Sequence, residues 1–191
     1  QFKVRYVYGD ERSMPGSTSP QSNEFFKQHQ WINLNLEFQD FIIDNNFFHL
    51  GLHARGVFNS QSLFSNYTAT LLAMTSFSLI PDAETFFLPE YRSPQHIGAG
   101  INTIFTIKKN FDIRLDTYYY QPFIQLIKNP DGTASYSTPF KGEALMASAS
   151  VVYNTLLGPL RATMNYFPRQ TNPFIFQISY GYVLFNERAI R

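Results

Sequence analysis

Phe174-Ile-Phe-Gln-Ile-Ser-Tyr-Gly-Tyr-Val-Leu-Phe185 is the stretch that decides the fold. In an extended chain Phe174, Phe176, Ile178, Tyr180, Tyr182 and Leu184 share one face, and Gln177, Ser179 and Gly181 share the other. Successive side chains of a strand point to opposite sides, so one side here is apolar and aromatic and the other is small or polar. That partition suits a wall with lipid outside and water or packed polar groups inside.

The same alternation recurs upstream. It sets eight expected strands, at about Phe2–Tyr8, Gln28–Ile43, Phe47–Asn59, His96–Ile107, Phe111–Leu126, Ala144–Leu157, Leu160–Phe167 and Phe174–Phe185. In the second, Ile32, Leu34, Leu36 and Phe38 alternate with Trp31, Asn33, Asn35 and Glu37. In the fifth, Phe111, Ile113, Leu115 and Tyr119 oppose Asp112, Arg114 and Asp116, and in the seventh Leu160, Ala162, Met164 and Tyr166 oppose Arg161, Thr163 and Asn165. Period-2 alternation is the local signature of a strand with two unlike faces. Short turns at Asp44-Asn45-Asn46, Lys108-Lys109-Asn110 and Gly158-Pro159 alternate with longer links at Gly9–Lys27, Ser60–Gln95, Ile127–Glu143 and Pro168–Pro173. A transmembrane barrel has short periplasmic turns and long external loops in that order. The expected fold class is all-β: an antiparallel transmembrane β-barrel formed by residues 1–191 as one domain, with its last strand running inward.

Composition points the same way. Of 191 residues, 17% are aromatic and only 15% charged, against roughly 25% charged in ordinary soluble domains. No apolar run reaches the ~18 residues of a transmembrane helix. A net charge of +1 without a basic cluster argues against a nucleic-acid partner. The absence of cysteine removes disulfides, thiol catalysis and cysteine metal sites. The chain begins at Gln1 without a signal peptide, so export implies a processed N-terminus or a position inside a longer protein.

Ser60–Gln95 is too long for an ordinary hairpin loop. Leu63, Tyr67, Leu71 and Met74 lie at near-helical spacing, which predicts a short helix over Asn66–Met74. Phe77, Leu79, Ile80, Phe86, Phe87 and Leu88 make the segment too apolar for free solvent, so it is expected to fold into the lumen.

Catalytic chemistry finds little footing in the linear sequence. No Gly-x-Ser-x-Gly elbow is present. His49 and His53 lie four apart, which on a strand separates them by about 13 Å, so they read as polar lumen filler and no metal or cofactor is expected. Asp112 and Asp116 share that spacing and read as salt-bridge partners of Arg114 or Arg161 in the lumen, where Arg55 also points by strand parity. Tyr118–Tyr120 is expected in an aromatic girdle, and Asp131-Gly132 at the tip of an external loop.

Several motifs in fixed order carry a family resemblance. Leu88-Pro-Glu-Tyr-Arg92, Gly98-Ala-Gly100, Asn110-Phe-Asp-Ile-Arg-Leu-Asp116, Gly158-Pro-Leu-Arg161 and Gly181-Tyr-Val-Leu-Phe-Asn186 resemble the C-terminal end of the bacterial surface-antigen superfamily. These are sixteen-stranded barrels of outer-membrane insertases and two-partner secretion transporters. The Asn-Pro-Phe before the last strand and the Phe-Asn-Glu-Arg ending resemble the branch fused to patatin-like phospholipases. The resemblance covers residues 60–191 well and 1–59 loosely.

The resemblance implies that the chain is the C-terminal half of such a barrel. It would lie in the outer membrane of a Gram-negative bacterium and anchor or export a fused phospholipase domain, with no catalytic residues of its own. Its partners would be the lipid bilayer, the missing N-terminal strands, an upstream domain and an outer-membrane complex. It also implies that Arg92, on the lumenal loop, docks on Asp112 or Asp116, although Tyr91-Arg92-Ser93-Pro94 lacks the glycine that follows arginine in the family motif. The alternatives are a self-contained eight-stranded adhesin or porin-like barrel, an insertase-type assembly barrel, and an enzyme held within a barrel.

Overall fold

A computed structural model describes residues 2–13, 25–77, 80, 86–156 and 158–181. The fold is all-β. Strands β1 (Phe2–Ser13), β2 (Phe25–Asp44) and β3 (Phe48–Asn59) precede helix α1 (Tyr67–Ala73). Strands β4 (Gln95–Lys108), β5 (Phe111–Ile124), β6 (Leu126–Lys128), β7 (Ala134–Tyr136), β8 (Ala144–Thr155), β9 (Gly158–Tyr166) and β10 (Phe174–Tyr180) follow. Eight of these form one antiparallel sheet in the order β1-β2-β3-β4-β5-β8-β9-β10, and β6 pairs with β7 separately. Among the described residues β1 and β10 end the order and do not pair with each other.

All eight expected strands are present, and the helix lies inside its expected range. Asn66 caps it: the Asn66 side chain accepts from the Ala69 N–H at 2.7 Å. That satisfies one of the orphan donors of a first helical turn. Three expectations need correction. β1 continues past Tyr8 to Ser13, because Asp10, Glu11 and Arg12 hold register with Gln28, Lys27 and Phe26 of β2. The link after β5 contains the β6–β7 hairpin, whose turn is closed by Asp131 and by Gly132 at φ 82°. Tyr118 and Tyr120 are buried, and only Tyr119 projects outward, so the three tyrosines do not line up as a girdle. The expected strand ends at Leu157 and at Tyr182–Phe185 lie outside the described residues.

The chain divides into two compact units. The first comprises Gln1–Glu37, Arg55–Gly98 and Tyr120–Glu143. It contains the β1–β2 hairpin, α1, the β6–β7 hairpin and the segment from Ser60 to Pro94. The core of this unit is aromatic: Phe77, Tyr91 and Tyr120 are fully buried with His96. The second comprises Phe38–Ala54, Ala99–Tyr119 and Ala144–Arg191. It contains the β8–β9–β10 meander, with Ser148 opposite Asn165, and Thr163 opposite both Ser150 and Gln177.

In both units the outward residues of the strands are apolar. Val4, Tyr6 and Tyr8 of β1 are exposed, as are Leu145, Val151 and Tyr153 of β8 and Phe174, Phe176, Ile178 and Tyr180 of β10. On the opposite face several polar residues are buried, His29 and Asn59 in the first unit and Asp116, Ser148, Ser150, Thr163 and Asn165 in the second, while Lys3 and Arg5 of β1 stay exposed. Glycines 98 and 100 leave room on that covered face. A Cβ on Gly98 would lie 2.0 Å from a Phe77 ring carbon, and one on Gly100 would lie 2.0 Å from a Tyr118 ring carbon.

Candidate functional site

The segment after β3 is the most elaborate part of the first unit. Its two ends are pinned together, since the Asn59 N–H donates to the Pro94 carbonyl at 2.8 Å. Ser60 then bonds back to β2, its N–H to the Ile32 carbonyl and its hydroxyl to the Ile32 N–H. Helix α1 rests on the β6–β7 hairpin: the Tyr67 N–H donates to the Gly132 carbonyl, and the Tyr136 hydroxyl donates to the Gln61 carbonyl, both at 3.0 Å. Burial raises the Tyr67 and Tyr136 hydroxyls above their ordinary pKa, with Glu90 adding to the effect at Tyr67. Residues 75–77 and 91–93 then run side by side, joined by Phe77 N–H to Tyr91 carbonyl at 2.9 Å and Ser93 N–H to Thr75 carbonyl at 3.3 Å. The Asn33 amide donates to the Thr75 hydroxyl at 2.9 Å, which ties this ribbon to the covered face of β2.

Arg92 sits where the ribbon meets the helix. One of its terminal nitrogens donates to the carbonyls of Leu71, Leu72 and Met74 at 3.5, 3.3 and 3.2 Å. Its guanidinium lies 5.2 Å from the centre of the Phe87 ring. A cation over the last carbonyls of a helix satisfies orphan acceptors and complements the negative end of the dipole. Arg92 thus binds backbone carbonyls at the end of α1. Desolvation lowers its pKa from the ordinary arginine value.

The two aspartates find partners inside the second unit. Asp112 accepts from the Thr106 hydroxyl at 3.0 Å and pairs with Arg114 at 3.5 Å. Asp116 accepts from the Asn102 amide at 2.8 Å, and the same amide reaches the Tyr118 hydroxyl. Arg55, in the first unit, donates to Asn35 at 3.1 Å. Arg161 stands opposite Val152 and Ser179 in register and lines a cleft with Arg114, Asn154 and Ser179. His49 bonds to Asp44, and His53 packs edge-on against Tyr118, so neither histidine faces the other. The hydroxyls of Ser148 and Ser150 and both amide atoms of Asn165 are buried without a hydrogen-bond partner among the described residues.

One cluster escapes the linear sequence altogether. His29 of β2 is 2% exposed and lies between Glu11 of β1 and Ser62. Its Nε2 is 2.8 Å from a Glu11 carboxylate oxygen, and its Nδ1 is 2.8 Å from the Ser62 hydroxyl. The other Glu11 oxygen accepts from the Ser65 N–H at 2.7 Å and from the Ser65 hydroxyl. The Phe64 ring closes over His29 at 4.4 Å, with Trp31 behind it. Ser62 itself is exposed. Glu11, His29 and Ser62 are 18 and 33 residues apart, so no local spacing signals the group.

Comparison with family models, with curated proteins and with solved structures finds no match for this chain.

Proposed function

We propose that the chain is a wall segment of an outer-membrane β-barrel, the C-terminal half of a sixteen-stranded one, that anchors or exports a fused patatin-like phospholipase domain in a Gram-negative bacterium. The observation that carries the membrane reading is the inverted polarity of the strands. Phe176 and Ile178 are 68% and 67% exposed, while Asn165 and Thr163 on the opposite face of the neighbouring strand are 0% and 1% exposed. A water-soluble sheet does the reverse, because a continuous exposed apolar surface is costly in water. In lipid the same arrangement is favourable, and the polar face then lines an interior that can hold water. Buried hydroxyls and amides such as those of Ser148, Ser150 and Asn165 suit a hydrated interior, since buried polar groups are satisfied by water where protein does not reach them. Strands β4 and β5, of 14 residues each, exceed the ~9–11 residues that cross a bilayer at a tilt.

The strand order, open among the described residues, supports the larger barrel over a self-contained one. Unpaired strand edges are not viable in lipid, so β1 and β10 require further strands beside them. The fused phospholipase domain is supported by the motif resemblance alone.

Charge placement tests the membrane reading. Phe176→Arg should destabilise the protein in lipid vesicles by about 2–4 kcal/mol in urea unfolding, the cost of a cation on the lipid face near mid-bilayer. An exposed site on a water-soluble sheet would change by at most ~0.5 kcal/mol, and that result would sink the reading. The intact mass of the protein extracted from its native membrane tests the rest: several-fold above that of these residues supports the half barrel with an upstream domain, and a mass equal to theirs excludes both.

A further inference from the structure

We infer that Ser62, His29 and Glu11 form a nucleophilic site that cleaves carboxylic esters. The tautomer follows from the partners. A carboxylate only accepts, so the hydrogen on the His29 ring sits on Nε2 toward Glu11, 2.8 Å away. Nδ1 is then the bare nitrogen, and it lies 2.8 Å from the Ser62 hydroxyl, within the reach a general base needs to take that proton. Glu11 is in turn fixed by the Ser65 N–H and hydroxyl. Nucleophile, base and orienting acid thus stand in the serial order that activates a serine. Burial differs along the series in the useful sense: His29 is enclosed under Phe64, and Ser62 is exposed to an incoming substrate.

The chemistry balances without a cofactor. The Ser62 oxygen attacks the ester carbonyl carbon while its proton passes to His29 Nδ1. The tetrahedral adduct collapses by breaking the bond to the alkoxy oxygen, which takes the proton from Nδ1 and leaves as the alcohol. Water then attacks the acyl-Ser62 carbonyl, gives its proton to Nδ1, and the acid departs as Ser62 recovers that proton. The N–H groups of Phe64 and Ser65 are held by Thr70 and Glu11, which fixes the backbone that follows Ser62. Glu11 acts through His29 and is a positioning residue.

The site stands on the geometry of the first unit and does not depend on the membrane reading. Its ester could come from a phospholipid or from a soluble metabolite, and the test separates the two. The whole protein, in membrane vesicles, is treated with a fluorophosphonate probe, and adducts are located by peptide mass spectrometry. The expected result is an adduct on Ser62 that is absent in Ser62→Ala and forms at least about a hundredfold more slowly in Glu11→Gln and His29→Gln. Limited proteolysis of residues 60–94 reports whether each variant keeps its fold. Ester cleavage is read as the difference between the parent and Ser62→Ala, once on phosphatidylethanolamine vesicles and once on a short-chain nitrophenyl ester. Cleavage of the first assigns a lipid source, and cleavage of the second alone assigns a soluble one. No adduct on Ser62 of the folded parent, an unchanged rate in folded Glu11→Gln, or cleavage of neither ester overturns the proposal. Retention of the protein in the membrane after alkaline washing is scored separately, so the loss of this site would leave the barrel reading intact.

Discussion

Gly98→Ala should detach Phe77 from the sheet, and the size of the effect follows from the geometry. The new methyl carbon would lie 2.0 Å from one Phe77 ring carbon and 2.5 Å from another. Carbon atoms pack at about 3.5–4.0 Å, so the ring must retreat by about 1.5 Å or leave. Phe77 is 2% exposed and contacts Tyr120 and His96 with ring centres 4.8 and 5.9 Å away. Losing that burial costs about 2 kcal/mol, and the two ring contacts add about 0.5 kcal/mol each at the low end of their range. Ala in place of Gly returns about 0.5 kcal/mol of backbone entropy. The net expectation is about 2.5 kcal/mol against the closed segment. Phe77→Ala alone should cost about 3 kcal/mol or slightly more. The double variant has no ring to collide with and keeps the backbone gain of about 0.5 kcal/mol, so its cost should be about 2.5 kcal/mol, giving a coupling of about 3 kcal/mol between the sites. The assay is the rate of proteolytic cleavage within residues 60–94 at low protease, which tracks the population of the opened segment. Strictly additive costs, or a Gly98→Ala protein cleaved at the parental rate, would refute the seating of Phe77 in the glycine notch.

Two further outcomes are expected. Arg92→Ala removes the donor to three carbonyls at the end of α1; at a half-exposed position this should cost about 1–2 kcal/mol and raise cleavage between residues 67 and 92 by about 5- to 30-fold, and an unchanged rate would remove the helix-end role. Asp131 is held below its ordinary pKa by the Thr133 hydroxyl and N–H. A depressed folded value means stability present above the unfolded value and lost as pH falls through the folded one. The β6–β7 hairpin should therefore become more open to nicking by pepsin as pH drops below about 4, while in Asp131→Ala it should be loose at the start and show no such pH step.

The sequence made the strands legible because their two faces meet different surroundings. Hydrophobic residues at every second position in β9 and β10 have one structural explanation, and Arg161, Thr163 and Asn165 fall on the covered face as the alternation requires. Helix α1 was legible from its spacing, and its cap is the Asn that begins the expected range. The strand end at Ser13 was hidden because Asp10, Glu11 and Arg12 look like a loop, although backbone pairing is indifferent to side-chain charge. Tyr118 and Tyr120 misled through their composition, while their parity with Asp116 already placed them on the covered side. The partners of Arg92 were hidden for a physical reason: backbone carbonyls carry no sequence signal, so a guanidinium that caps a helix looks the same as one that meets an acid. Ser62, His29 and Glu11 were invisible because they come from three separate stretches that meet only after β1, β2 and β3 are in register.

The bond from Asn59 to Pro94 has a consequence for engineering. It brings the exit of β3 and the entry of β4 to adjacent positions, so the whole stretch between them is an insert on a hairpin. A nick anywhere inside the insert leaves both stubs held at the same point, and a foreign peptide spliced between them would inherit that anchorage. The hairpin beneath is thereby a socket, and any new occupant must replace the packing that Phe77 and Tyr91 give to His96 and Tyr120.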